Sequence, residues 1–185
     1  MKKREILLLM AITGLLAACG TAEQPGAAPD DWEAKPFAET NEGDFIYRLA
    51  AESDSFKAGG PISMYAELEY TGERDSIDIY HAASPFYFHL HEKTRDFEVP
   101  YPMNEPLITT TLIKGEPLRE QYRGSGGYAQ EDPEAYQEFV QGVMNGRFPE
   151  GFYEVDGSAN FYTGNPEADK TDYDIHAAIR FKVVE

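Results

Sequence analysis

Between Tyr173 and Val184 the residues alternate without a break. Tyr173, Ile175, Ala177, Ile179, Phe181 and Val183 fall on one side, and Asp174, His176, Arg180 and Lys182 fall on the other. Successive side chains of a strand point to opposite faces, so this stretch commits to a sheet with one dry face and one wet face, the habit of antiparallel sheets. The same period recurs upstream. Phe45, Tyr47 and Leu49 share a face, and so do Ile62, Met64, Ala66, Leu68 and Tyr70, opposite Ser63, Tyr65, Glu67 and Glu69. Ile77 and Ile79 mark a short strand after the turn at residues 71–75, and Phe86, Phe88 and Leu90 alternate with Tyr87, His89 and His91. Residues 107–113 alternate again and are rich in threonine. Residues 152–162 supply one bent strand or two, with Gly157 as a bulge candidate.

One segment has a different period. Tyr136, Phe139, Val140, Val143 and Met144 follow helical spacing. Asp132 is expected at its N-cap with Pro133 in the first helical position, and Asn145-Gly146 supplies a left-handed stop. Seven or eight strands with one inserted short helix, spaced by Gly and Pro turns, predict an all-β fold. The expected form is an immunoglobulin-like antiparallel β-sandwich over residues 44–185. The chain holds one cysteine, so no internal disulfide joins the sheets and no cysteine zinc cluster forms.

That cysteine lies at the end of a leader. Lys2, Lys3 and Arg4 precede an apolar run from Ile6 to Ala18, which is shorter than the roughly 20 residues of a membrane span and fits a secretory signal. The run closes Leu16-Ala17-Ala18-Cys19-Gly20, which resembles the lipobox of bacterial lipoproteins. The resemblance implies a signal peptide over residues 1–18, cleavage before Cys19, and lipidation of its thiol. A doubly acylated chain stays on a bilayer where a single acyl chain holds only marginally. Residues 19–43, with Pro25, Gly26 and Pro29, are expected to form the lipidated end and a flexible tether. Trp32 and Phe37, near its end, either dock on the domain or stay solvated. The expected location is the extracytoplasmic face of the cell membrane.

Charge narrows the partners. Of 185 residues, 33 are acidic and 16 basic, for a net charge of −17. Loss of the leader, with three basic residues and one acid, makes this −19. Such a chain has no basic surface to displace counterions from nucleic acid, and none to attract anionic headgroups.

A second resemblance covers most of residues 44–185. The stretches 53–70 (SDSFKAGGPISMYAELEY), 110–117 (TTLIKGEP) and 148–156 (FPEGFYEVD), with the closing Phe181-Lys182-Val183, resemble immunoglobulin-like domains of Bacillus-type lipoproteins. They are distantly similar to BsuPI-type proteinase-inhibitor domains. The tryptophan-containing centre of those domains is missing, so the resemblance does not carry protease inhibition with it.

Catalytic motifs are missing from the sequence. Gly124-Ser125-Gly126-Gly127 has neither the spacing of a nucleophile elbow nor the lysine of a phosphate loop, and reads as a flexible loop. His91-Glu92 opens like a zinc-protease helix, but Arg95 stands where the second histidine belongs. His89 and His91 share one side of a strand and would chelate zinc or copper if His81, His176 or an acid completed the set. The acids at 73–78 and 167–174 do not match a calcium loop and read as solvated faces. Twelve tyrosines are many. Tyr47, Tyr70 and Tyr153 read as core. Tyr80, Tyr87, Tyr101, Tyr122 and Tyr128 fall around loops and strand ends, and are the candidate binding residues. The expected function is a non-catalytic binding or interaction module, for another envelope protein or a small ligand, with no cofactor. The alternative is a zinc- or copper-binding protein using His89 and His91. Replacing Cys19 with alanine is expected to abolish metabolic labelling with palmitate and detergent-phase partitioning. Persistence of both in that variant would overturn the lipoprotein reading.

Overall fold

The computed structural model describes Ala28, Pro29 and residues 31–185. The leader and Cys19 lie outside the described residues. Over the described residues the chain is an all-β sandwich with a single short helix. Its smaller sheet holds β1 (Phe37–Glu42), β2 (Phe45–Ala51), β4 (Met64–Tyr70) and β9 (Leu118–Gln121), adjacent in that order. The larger sheet runs β3 (Ser55–Lys57), β11 (Thr171–Val184), β10 (Gly151–Thr163), β5 (Ser76–His81) and β8 (Ile108–Ile113). On β10, β6 (Phe86–Glu92) takes a place beside β5 and carries β7 (Phe97–Val99) on its far side. The helix α1 spans Glu134–Met144.

Alternation places the core as expected. Odd-numbered residues of β10 and β11, from Tyr153 and Ile175 to Phe161 and Val183, meet the inner faces of β2 and β4. Tyr47, Tyr70 and Tyr153 are fully buried. Aromatic rings fill the interior in offset and edge-on contacts, such as Tyr153 against Phe181 at 5.4 Å and Phe45 against Phe161 at 4.9 Å. The helix closes one end by burying Phe139, Val140 and Val143, while Met144 is left exposed.

Several details depart from the sequence reading. The ordered chain begins before residue 44. All of β1 pairs with β2, Lys35 exchanges backbone hydrogen bonds with Arg180, and the Trp32 ring stands edge-on to Phe152 at 5.0 Å. Backbone pairing orders this stretch, since only Ala38 of β1 is buried. Strands among the described residues number eleven, and β3 joins β11 in parallel, so the sandwich is not wholly antiparallel. At the helix start, Pro133 is the N-cap. The Asp132 carboxylate instead turns back and accepts the Ala129 N–H at 2.6 Å. Gly146, at φ +69°, does end the helix.

The glycines at 124 and 126 form a fitted contact with α1. A methyl group on Gly124 would stand 2.7 Å from the Met144 carbonyl oxygen, and one on Gly126 would stand 2.9 Å from Val140. Gly157 is no bulge either. It stays in register with Ala177 on one side and Phe88 on the other. Its hydrogen leaves room for the opposite sheet, because a methyl group would come within 2.7 Å of Tyr47 Oη and 2.8 Å of Leu49 Cδ2. Overpacking of this kind costs about 1–3 kcal/mol. Gly157→Ala is therefore expected to lower stability by that amount in chemical denaturation. Adding Tyr47→Phe should recover part of the loss, since it removes the nearest atom, a buried hydroxyl with no partner among the described residues. A Gly157→Ala protein as stable as the parent would refute the contact.

Candidate functional site

The wet face of the larger sheet is built from even-numbered residues of β10 and β11 and odd-numbered residues of β6. Cross-strand register sets Arg180, Glu154 and His91 in one row, Ala178, Asp156 and His89 in the next, and His176, Ser158 and Tyr87 in a third. Further along, β10 changes partner. β6 pairs with it from Tyr153 to Ala159, while β5 meets it at Tyr162, opposite Tyr80. The chain from Ala82 to Pro85 crosses the gap between them. The result is a groove of about 270 Å³ over Asn160 and Phe161, walled by Tyr80, Tyr87, Tyr162, Glu105, Leu107 and Asp172.

Aromatic rings and acids line this groove together. The Tyr80 and Tyr162 rings stack with centroids 4.9 Å apart and planes 16° from parallel. Lys170 Nζ stands 4.7 Å over the Tyr162 ring and 2.6 Å from Asp172 Oδ1. One ring face therefore already holds a cation. Tyr87 stacks on His89 with ring planes 4° apart. Burial, and then the negative charges of Glu105 and Asp174, push the Tyr87 hydroxyl above its ordinary range. Leu107 is 70% exposed and forms an apolar lip. A ring face is electron-rich, so rings combined with carboxylates favour a cationic group over an anion.

The five tyrosines singled out by sequence do not form one patch. Tyr80 and Tyr87 line the groove. Tyr101 and Tyr122 are half-buried and pack on the core, each against Phe88 (5.5 and 5.6 Å) and against one another (6.1 Å). The Tyr122 hydroxyl is pushed up to about 12, chiefly by burial, and accepts the Ser125 N–H. Tyr128 is exposed in the loop before α1 and is not among the groove residues. Reasoning from loops missed Tyr162, Glu105, Leu107 and Asp172. Strand parity held the signal for Tyr162, because an even position on β10 faces outward.

The histidines are held separately. His91 Nε2 lies 2.6 Å from Asp96 and its Nδ1 lies 3.2 Å from Glu98, closing the β6–β7 turn. Glu92 beside it is fully buried and accepts the Thr94 and Arg95 N–H groups at 2.8 and 2.9 Å, with the Arg95 guanidinium at 3.1 Å. The His-Glu pair therefore builds a turn. His89 faces solvent. His81 is buried, with Nδ1 donating to the Ala82 carbonyl and Nε2 paired to the Thr110 hydroxyl. His176 lies between Asp156 and Asp174 at 3.2 and 3.3 Å. Burial lowers its pKa, but hydrogen bonds to the two carboxylates outweigh that and raise it above 6.5. Among the described residues no group of three or more His, Cys, Asp or Glu side chains is placed to hold a metal ion.

A larger recess, about 660 Å³, lies at the other end of the same face, between Glu33, Lys35, Glu154 and Arg180. Its two innermost charges are already paired, Arg180 Nε to Glu154 at 2.6 Å, and it has no aromatic wall. The tyrosine groove is the better candidate. No protein-family model matches the chain, and neither a curated protein nor a solved structure matches it.

Burial separates support from surface. Tyr101→Ala and Tyr122→Ala are each expected to cost about 2–4 kcal/mol, within the range for truncating packed side chains. Tyr80→Ala and Tyr162→Ala should stay within about 1 kcal/mol of the parent, as surface changes do. Urea denaturation of the four variants checks this. Equal losses at all four would mean that the groove tyrosines are structural too.

Proposed function

We propose that this protein is a lipid-anchored lipoprotein of the extracytoplasmic membrane face whose sandwich domain is a non-catalytic binding module. The domain takes a cationic group in the Tyr80–Tyr87–Tyr162 groove. The observation that carries the reading is the groove itself, three tyrosine rings beside Glu105 and Asp172 on a strongly acidic chain. The lipobox-like Leu16-Ala17-Ala18-Cys19 supports the anchor, and the resemblance of residues 44–185 to domains of Bacillus-type lipoproteins supports the setting. The cation belongs to a small ligand or to a lysine or arginine of another envelope protein. Lys170 acts as a resident placeholder, holding the Tyr162 face until a competing cation takes it.

One exposed cation–π contact contributes about 0.5–1 kcal/mol, and a second ring with a nearby carboxylate adds to it. A lone quaternary ammonium ion is therefore expected to bind weakly, on the order of 10 mM, equivalent to about 3 kcal/mol. The probe is tetramethylammonium chloride, titrated at constant ionic strength and followed by the ring resonances of Tyr80, Tyr87 and Tyr162. Tyr162→Ala should weaken binding about threefold or more, and Lys170→Ala should tighten it by freeing the ring face. Equal binding by parent, Tyr162→Ala and Lys170→Ala proteins, or no shift at these rings, would overturn the groove as the site.

A further inference from the structure

Edge strands invite other chains, and proteins blunt them with charge, proline or brevity. Four of the edge-lying strands here are blunted. β1 carries Glu39 and Glu42, β9 carries Arg119 and Glu120, and the three-residue β3 and β7 carry Lys57 and Glu98. β8 is the exception. It ends the larger sheet, and from Leu107 to Ile113 (LITTTLI) it has no charge at all. Leu107, Ile108 and Ile113 are 70, 38 and 48% exposed, among the most exposed large apolar side chains of the described residues.

The sequence of this edge is nearly its own mirror image. About Thr110, Thr109 matches Thr111, Ile108 matches Leu112 and Leu107 matches Ile113. The backbone has the same symmetry. Lys114 donates its N–H to Asp75 directly opposite, so alternate residues 112, 110 and 108 spend their backbone groups on β5. Thr109, Thr111 and Ile113 turn theirs to the open side, where the Ile113 carbonyl also accepts the Glu116 N–H at 3.0 Å. An antiparallel copy centred on Thr110 sets 109 against 111 and 107 against 113. The 109–111 pairs join residues with outward-facing donors and acceptors, and 107 against 113 extends the match just past the strand's first residue. Side chains agree as well, because every such pairing joins residues on the same face. Glu105 precedes the strand and Lys114 follows it, so an antiparallel copy brings each end toward the opposite charge.

From this self-complementarity we infer that β8 is a homodimer seam, where two copies pair antiparallel about Thr110 and join their larger sheets into one. The occupant of the edge is a second copy of this chain. The inference is independent of the ligand groove and of the anchor.

Disulfide trapping in the full-length protein tests the register. In the proposed dimer the two Thr110 residues form a non-hydrogen-bonded pair with Cα atoms about 4.5 Å apart, inside the range a disulfide spans. Ile113 lies six residues from its own counterpart, roughly 20 Å at strand rise. Under mild oxidation, Thr110→Cys is expected to give at least tenfold more disulfide-linked dimer than Ile113→Cys, after subtracting any dimer formed by the parent through Cys19. Ile113 is among the exposed side chains and Thr110 is half-buried, so random collision would give the opposite ranking. A mixture of Leu107→Cys and Ile113→Cys proteins should form the mixed dimer, and neither alone should do so. That pair serves as well if Thr110→Cys fails to fold through loss of its His81 contact. Crosslinking equal at all positions, absent at all positions, or to a protein of different mass would each overturn the seam.

Discussion

The long hairpin of β10 and β11 holds the other elements in place. All 13 residues of β10 pair in unbroken register with β11, the odd positions turned inward and, Thr163 apart, apolar or aromatic, the even positions on the wet face. One missed residue would move every side chain to the wrong face. Gly157 keeps the register straight where the opposing Tyr47 and Leu49 come closest, since it lets the sheets approach without a bulge. The hairpin is longer than any strand that flanks it, so each of its edges is shared. β11 gives its edge to Lys35 and then to β3, and β10 gives its edge to β6 and then to β5. The groove lies at the second handover. It follows from a strand too long for one partner.

Legibility in the sequence followed burial. Of the seven strands read from alternation, β2, β4, β5, β6, β10 and β11 have one face in the core, and β8 contributes Leu112 to it. The four that escaped are β1, β3, β7 and β9, where few side chains are buried and the stabilising force is backbone pairing that leaves no mark on the pattern. Phe37-Ala38-Glu39-Thr40-Asn41-Glu42 looks like tether because five of its six side chains do reach solvent to some degree. The candidate site divides in the same way. Tyr80 and Tyr87 lie on strands whose parity is visible, and both reach the groove. Tyr101 and Tyr122 lie on irregular backbone, where nothing local distinguishes a ring turned inward from one turned out. Only tertiary contact with Phe88 and Phe148 decides that they are buried.

Acidity acts differently at the two surfaces. A net charge of −17 keeps copies apart in general. Over most of the edges that repulsion adds to the charged residues already present. At β8 the local sequence is neutral for seven residues, so backbone pairing there meets only the long-range part of the field, which falls off over about 10 Å at moderate salt. In the groove the same acidity is an attraction, because Glu105 and Asp172 stand beside rings that already favour positive charge.

Leu107 joins the two surfaces. It forms the lip of the groove and also the first residue of the self-matching stretch, where its counterpart in an antiparallel copy is Ile113. Pairing at β8 would set an aliphatic side chain of the second copy beside that lip and reduce water at the groove mouth. Removing water strengthens the attraction between a cation and the tyrosine faces. Linkage then requires the converse, that a cation in the groove favours the paired state by the same factor. If both proposals hold, a single exposed leucine would couple two otherwise independent surfaces, because β8 enters the sheet directly from the loop that walls the groove.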